Sequence, residues 1–233
     1  MERVTYDLDG RIATITMDDG KANVLSLAMQ ADINEAFDQA ERDEAIVVLG
    51  GREGRFCGGF DLQVFAAGGS EAPDMLRGGF ELSARMLSFP YPVVVACTGH
   101  AIAMGAFLLL SGDYRIGASG AFRIQANEVQ IGLTMPFTAI EICRQRLATS
   151  HYDRAVVLAE TFTPEGAAAA GFLDAVVDPS ELAAAARSRA EAFAELNVDA
   201  HTATKLRARA GALAAIRAAI EADDAAVRAM LPA

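Results

Sequence analysis

The opening of the chain alternates in character. "VTYDLDGRIATITM" sets β-branched positions on either side of Asp9-Gly10, the pattern of a hairpin. A polar Asp18-Asp19-Gly20 loop follows, after which Ser26 can cap a helix that places Met29, Ile33 and Phe37 on one face. "AIVVLGG" at 45 to 51 is wholly apolar and ends in glycines, which suits a strand covered on both faces. A hairpin, a helix and a buried strand in this order predict an α/β arrangement with parallel pairing.

The pattern blurs from 63 to 91. Gly, Ala and Ser dominate first, and an amphipathic run around Phe80, Leu82, Met86 and Leu87 stops at Pro90, which predicts a mobile loop and then a helix. "PVVVACTG" is a second buried strand and "AMGAFLLLSG" a buried helix, with "DYRIGA" and "AFRIQA" as short strands either side of Ser119-Gly120. From Pro136 the pattern is helical almost throughout. Thr163-Pro164 is a cap followed by an N1 proline, Gly171 a stop, and "FLDAVVD" the last strand. The alanine-rich tail from 180 to 233 carries too thin an apolar stripe for a core of its own, so it is expected to pack on the main body or on a neighbouring subunit.

Composition narrows the class. A chain of 233 residues with 52% hydrophobic content can build one large core, and no apolar run approaches the length of a membrane span. Met1 is followed by Glu2 and Arg3, without an apolar leader, so a cytoplasmic location is expected. The net charge of −11 disfavours nucleic acid and anionic membranes. Cys57, Cys97 and Cys143, and His100, His151 and His201, lie far apart, with no spacing that suggests a disulfide framework or a metal site.

Three stretches offer chemistry. "GREGRFCGGFDL" at 51 to 62 has a glycine pair whose amides can face a ligand oxygen, and "CTGHAIAMGAFLLL" at 97 to 110 ends in a helix start with unpaired donors. "ANEVQIGLTMP" holds one carboxylate, Glu128, which becomes a proton-transfer group near neutrality if its surroundings are apolar. Each alone also fits a plain structural role: a turn, a packed small-residue stretch, a solvent-facing glutamate.

Together and in this order, with "KANVLS", "GDYRIGA", "TPEGAAAAGFLDAVV" and the "TATK" of 202 to 205, they resemble the crotonase superfamily of enoyl-CoA hydratases and isomerases. The resemblance runs from about Val4 to Val177. It implies a (ClpP-like) core of repeated ββα units over 1–177, a helical C-terminal region over 178–233, and assembly as a homotrimer or as a hexamer built from two trimers. It also implies an acyl-CoA thioester as substrate, with coenzyme A belonging to the substrate and no separate cofactor or metal. By motif position the oxyanion-hole amides fall on Gly58 and on Met104, where the family usually has glycine; Gly105 is the neighbouring candidate. Lys21, Ala22, Gly58, Phe60 and Asp61 are the implied contacts of the coenzyme arm.

The hydratases of this superfamily use two glutamates. Here the first position is Phe107 and only the second, Glu128, is a carboxylate. One carboxyl group suffices to shift a double bond, so the chain is most similar to the Δ3,Δ2-enoyl-CoA isomerases, with Phe107, Phe80, Met86 and Phe137 as expected walls of the acyl pocket. Two rival readings are a hydratase that borrows Glu141, and an acyl-CoA-binding protein that keeps the fold without catalysis.

Overall fold

The computed structural model describes residues 1–67 and 69–229. The hairpin is present: β1 (Val4–Asp9) and β2 (Ile12–Met17) pair antiparallel. Helix α1 (Leu27–Arg42) starts at Ser26, whose hydroxyl accepts from the Met29 amide at 3.2 Å. After β3 (Ile46–Gly51), the chain repeats one unit three times, two strands and then helix. These are β3 and β4 (Gly54–Cys57) with α2 (Leu62–Ala67) and α3 (Glu71–Ser88); β5 (Val93–Cys97) and β6 (Gly99–Ile102) with α4 (Met104–Leu110); and β7 (Tyr114–Ala118) and β8 (Ile124–Gln125) with α5 (Phe137–Arg144). Helices α6 (Thr149–Val156) and α7 (Pro164–Ala170), strand β9 (Ala175–Val177), and helices α8 (Leu182–Ala194), α9 (Val198–Ala208) and α10 (Ala210–Ala229) complete the order. Helix α7 has Thr163 as its cap and Gly171 as its left-handed stop, as the pattern predicts.

The first strand of each unit enters one sheet and the second enters another. The six-stranded sheet runs β1-β2-β3-β5-β7-β9, parallel after its first pair, and the three-stranded sheet runs β4-β6-β8, parallel throughout. Alternate residues of the large sheet serve two cores. Val47, Leu49, Val93 and Val95 join the main core with α1, α3, α4 and α5, whereas Ile46, Val48, Val94 and Ala96 face Leu182, Ala186 and Ala190 of α8.

The stretch from 63 to 91 departs from the expectation of a loop followed by a late helix. It forms α2 and then a long helix from Glu71, with Glu71 and Asp74 in its acidic first turn. Gly78 and Gly79 sit inside α3 as packing positions, not breakers: a Cβ on Gly79 would lie 2.5 Å from the Phe60 ring.

The alanine-rich tail packs on the body, α8 across the second face of the large sheet and α10 against α3 and α5. Residues 230–233 of that tail lie outside the described chain. Lys205, of the "TATK" element, meets Asp113 at 2.7 Å, Arg209 meets the other oxygen of Asp113 at 2.8 Å, and Asp113 accepts from the Val93 amide at 2.8 Å. Among the described residues no helix is long and apolar enough to cross a membrane.

Candidate active site

The three parallel strands of the small sheet deliver three chain segments to one edge, beyond their carboxyl ends. From β4 come Gly58 and Gly59, from β6 the turn at Ala103 and the start of α4, and from β8 Asn127 and Glu128. A cavity of about 110 Å³ lies among them. Gly58, Phe60, Phe80, Phe107 and Glu128 line it, as do Leu62, Phe65, Leu76, Ile102, Ala103, Asn127, Ile131, Leu133, Thr134 and Pro136.

Glu128 is 7% exposed, and its Oε2 has no hydrogen-bond partner. Burial pushes its carboxyl up to about 7, with its own backbone N–H opposing. No other carboxylate lines the cavity among the described residues. Glu141 is not there: it sits on α5 and pairs with Arg144 at 3.3 Å, which removes the structural basis for a hydratase built on that residue. Asn127, which sequence reasoning passed over as half of an "NE" pair, also lines the cavity, and its Oδ1 is buried without a partner.

The turn before α4 is unusual. Ala103 adopts φ 51°, ψ −122°, a conformation that L residues rarely take, while its N–H donates to the Gln125 carbonyl at 2.8 Å. The next residue, Met104, opens α4, and its amide has no acceptor among the described residues. Its side chain is fully buried in the main core and does not line the cavity, so methionine here leaves the pocket unobstructed. Gly105 allows the close approach that this requires, because a Cβ there would lie 2.2 Å from the Cys57 carbonyl oxygen.

Gly58 differs from expectation. Its amide is already engaged, donating to the Ala22 carbonyl at 2.9 Å. Asn23 holds that strap in place. It is fully buried at φ 51°, and its Nδ2 donates to the carbonyls of Met17 at 2.9 Å and Arg55 at 3.1 Å, pinning 21–23 to the ends of β2 and β4. Lys21 is exposed beside it and its carbonyl accepts from Arg52 Nε at 2.8 Å. Asp61 does not line the cavity; its Oδ1 accepts from the Gln63 amide at 2.9 Å at the start of α2.

The walls are aromatic. Phe65, Phe60, Phe80 and Phe107 form a chain with successive ring centroids 6.2, 5.9 and 6.4 Å apart. Two expected wall residues are elsewhere. Met86 is fully buried in the core and does not reach the cavity, and Phe137, the first residue of α5, is 59% exposed because that helix turns Thr138, Ala139, Ile142 and Cys143 inward. A larger groove, of about 780 Å³, lies on the second face of the large sheet beside α8. Glu128 does not line it, so the candidate proton-transfer group lies in the smaller cavity.

This geometry, an apolar pocket with one high-pKa carboxyl group and a free amide at a strained helix start, suits proton transfer at a carbon next to a carbonyl. The chain belongs to the enoyl-CoA hydratase/isomerase family, whose model matches residues 7–230. It is similar to a "probable enoyl-CoA hydratase" of Rhodobacter capsulatus, at 34% identity over 125 residues, a match spanning 53% of this chain and 49% of that relative. Solved structures cover nearly the whole chain, two of them identical to it at more than half of the aligned positions. An enoyl-CoA hydratase from Mycobacterium marinum is 54% identical with a TM-score of 0.92, covering 96% of this chain and 98% of the other. A protein of Mycobacterium tuberculosis, solved once as a probable enoyl-CoA hydratase and once as an enoyl-CoA isomerase, is in the latter structure 52% identical with a TM-score of 0.93, covering 97% of this chain and 99% of the other.

Proposed function

We propose that the chain is an enoyl-CoA isomerase that converts a 3-enoyl-CoA to the conjugated 2-enoyl-CoA. The observation that carries this reading is the solitary carboxyl group of the pocket, Glu128, with Phe107 where a second would stand. Ionised Glu128 takes a proton from C2, the electron pair delocalises toward the thioester oxygen and C4, and the carboxylic acid returns its proton to C4. One group serves both steps, and a pKa of about 7 leaves it a base and an acid of comparable strength at neutral pH. The dienolate oxygen is held by the Met104 amide and by the Gly58 amide, which leaves Ala22 for the substrate. Ala22, Lys21 and Phe60 then receive the coenzyme arm, and the aromatic chain receives the acyl group and excludes water. A trimer, or a dimer of trimers, belongs to the same reading and is measured by light scattering.

Purified protein given 3-enoyl-CoA is expected to produce the absorbance of the conjugated thioester. Glu128→Gln lowers kcat by about a thousandfold, and wild-type kcat/KM rises with pH through about 7 and then levels, because the base form is the one required. Unchanged turnover in Glu128→Gln sinks the assignment.

Hydration of 2-enoyl-CoA is the second reading, favoured by Asn127. Asn127 and Glu128 both line the pocket, and the Oδ1 of the first and the Oε2 of the second are buried acceptors without a partner, the kind of group to which a water donates. Assays from 2-enoyl-CoA separate the two: 3-hydroxyacyl-CoA formed faster than isomerisation proceeds, and slowed in Asn127→Ala, selects hydration. Acyl-CoA affinity without turnover of either substrate selects a binding protein.

A further inference from the structure

Glu128 is fixed at two ends. Upstream, β8 is locked by the Ala103–Gln125 backbone bond and by the Gln125 side chain, whose Nε2 donates to the Ala159 carbonyl at 2.7 Å. Downstream, a 3-10 turn at Val129–Ile131 and a short segment reach α5 at Pro136, and Ile131, Leu133, Thr134 and Pro136 of that segment line the pocket. The second anchor is therefore the start of α5, and α5 has no capping side chain of its own: its N-cap is Pro136. Its first amides would be orphaned in the interior.

They are not, because Asp223 reaches in from α10. Its Oδ1 accepts from the Phe137 amide at 3.0 Å, and its Oδ2 accepts from the Thr138 amide at 2.9 Å and the Thr138 hydroxyl at 2.7 Å. Asp223 is 7% exposed. The flanking residues of α10 grip the opposite wall: Arg77 of α3 pairs with Glu221 and with Asp224, and Arg228 pairs with Asp74 of α3 at 2.6 Å. Leu76 and Phe80 of α3 line the pocket facing the segment that α5 terminates. One helix at the far end of the chain thus ties together the two walls between which Glu128 sits.

We propose that Asp223 is a positioning residue for Glu128: by capping α5 from α10 it fixes the 128–136 segment, and with it the placement of the carboxyl group in the dry pocket. This rests on the assignment of Glu128 as the proton shuttle. A carboxyl group that must reach two carbons of one substrate tolerates little drift, and a misplacement of about 1 Å is enough to cost about a hundredfold in rate. The titratable neighbour on α5, Cys143, is buried with its thiol pushed up by burial, so it stays neutral and leaves the titration to Glu128.

The test uses Asp223→Ala, Asp223→Asn and the milder Thr138→Val in the full chain, each read by kcat, by KM and by the infrared carboxyl band of Glu128 titrated against a Glu128→Gln background. Asp223→Ala is expected to lower kcat by about tenfold or more with KM within about threefold. It should also move the Glu128 titration from about 7 toward the ordinary carboxylate range as water enters. Asp223→Asn keeps one acceptor oxygen but turns its NH2 group toward the other N–H donor, so its kcat is expected to lie between those of Asp223→Ala and the wild type. Thr138→Val moves both readouts less and in the same direction, and it decides the matter if Asp223→Ala does not fold. Wild-type kcat with an unmoved titration overturns the proposal, and so does a lost kcat with an unmoved titration, the mark of a merely structural role. If even the wild type fails to turn over 3-enoyl-CoA, the isomerase reading falls, while the infrared titration still decides the role of Asp223.

Discussion

Burial pushes the Glu128 carboxyl up to about 7 from an ordinary value of 4.5, so the native chain holds this proton over a pH range where the unfolded chain has lost it. Glu128 therefore supports the fold at low pH, and this support drains away as pH rises from about 4.5 to about 7, a total of about 3 kcal/mol. Glutamine at 128 is neutral throughout. Glu128→Gln is expected to match the wild type in urea stability at pH 4 and to exceed it by up to about 3 kcal/mol at pH 8; parallel pH profiles for the two proteins exclude the buried, shifted carboxyl. The residue itself was legible in the sequence, through its place in an ordered set of motifs. Asn127 was not: an unmet acceptor is a fact about burial, and nothing in "NE" says which side chain loses its water.

The elements around the pocket combine regular caps with one strained turn. Ser26 and Thr163 do what their positions in the sequence promise, because a cap is a local hydrogen bond. Helix α3 begins at Glu71, ahead of the amphipathic run around Phe80, and includes Pro73 and a Gly78-Gly79 pair against which Phe60 and Gln30 press, contacts that a Gly-, Ala- and Ser-rich run does not show. Met86 and Phe137 were misplaced for a related reason: helical periodicity gives a face, but not which neighbour meets it. Ala103 stores about 1–3 kcal/mol in its backbone conformation, and glycine would adopt it freely. Ala103→Gly is expected to gain about 1 kcal/mol of stability net of the unfolded-state entropy glycine adds, seen as a higher Tm, and to lower kcat because the Met104 amide is less firmly aimed. A variant that is both less stable and fully active refutes strain at this turn.

At the scale of the whole molecule, the alanine-rich tail is fastened to the body at two places. Asp223 of α10 serves the pocket, whereas Lys205 and Arg209 meet Asp113 just before β7, beside the start of β5. Lys205→Met leaves part of a half-buried carboxylate uncompensated and is expected to cost about 3 kcal/mol in urea unfolding, part of which Asp113→Asn in the same chain returns. Equal stability of Lys205→Met and the wild type removes this fastening from the account. Repeated strand–strand–helix units were expected from the family resemblance of the motifs, but these long-range ties were not, since charges that meet across ninety or so residues leave no periodic trace.

The Ala22–Gly58 bond bears on how rate and affinity divide. Without ligand, the Gly58 amide already has a carbonyl partner at 2.9 Å. A bound thioester would replace one neutral carbonyl with another, an almost even trade that adds little to ground-state affinity. The balance tips only when the substrate oxygen gains negative charge, since an amide bonds an anionic oxygen far more strongly than a neutral one. If Gly58 serves as the proposed oxyanion donor, an amide occupied in this way would discriminate between the thioester and its dienolate, favouring turnover while leaving the resting complex loose enough to release product.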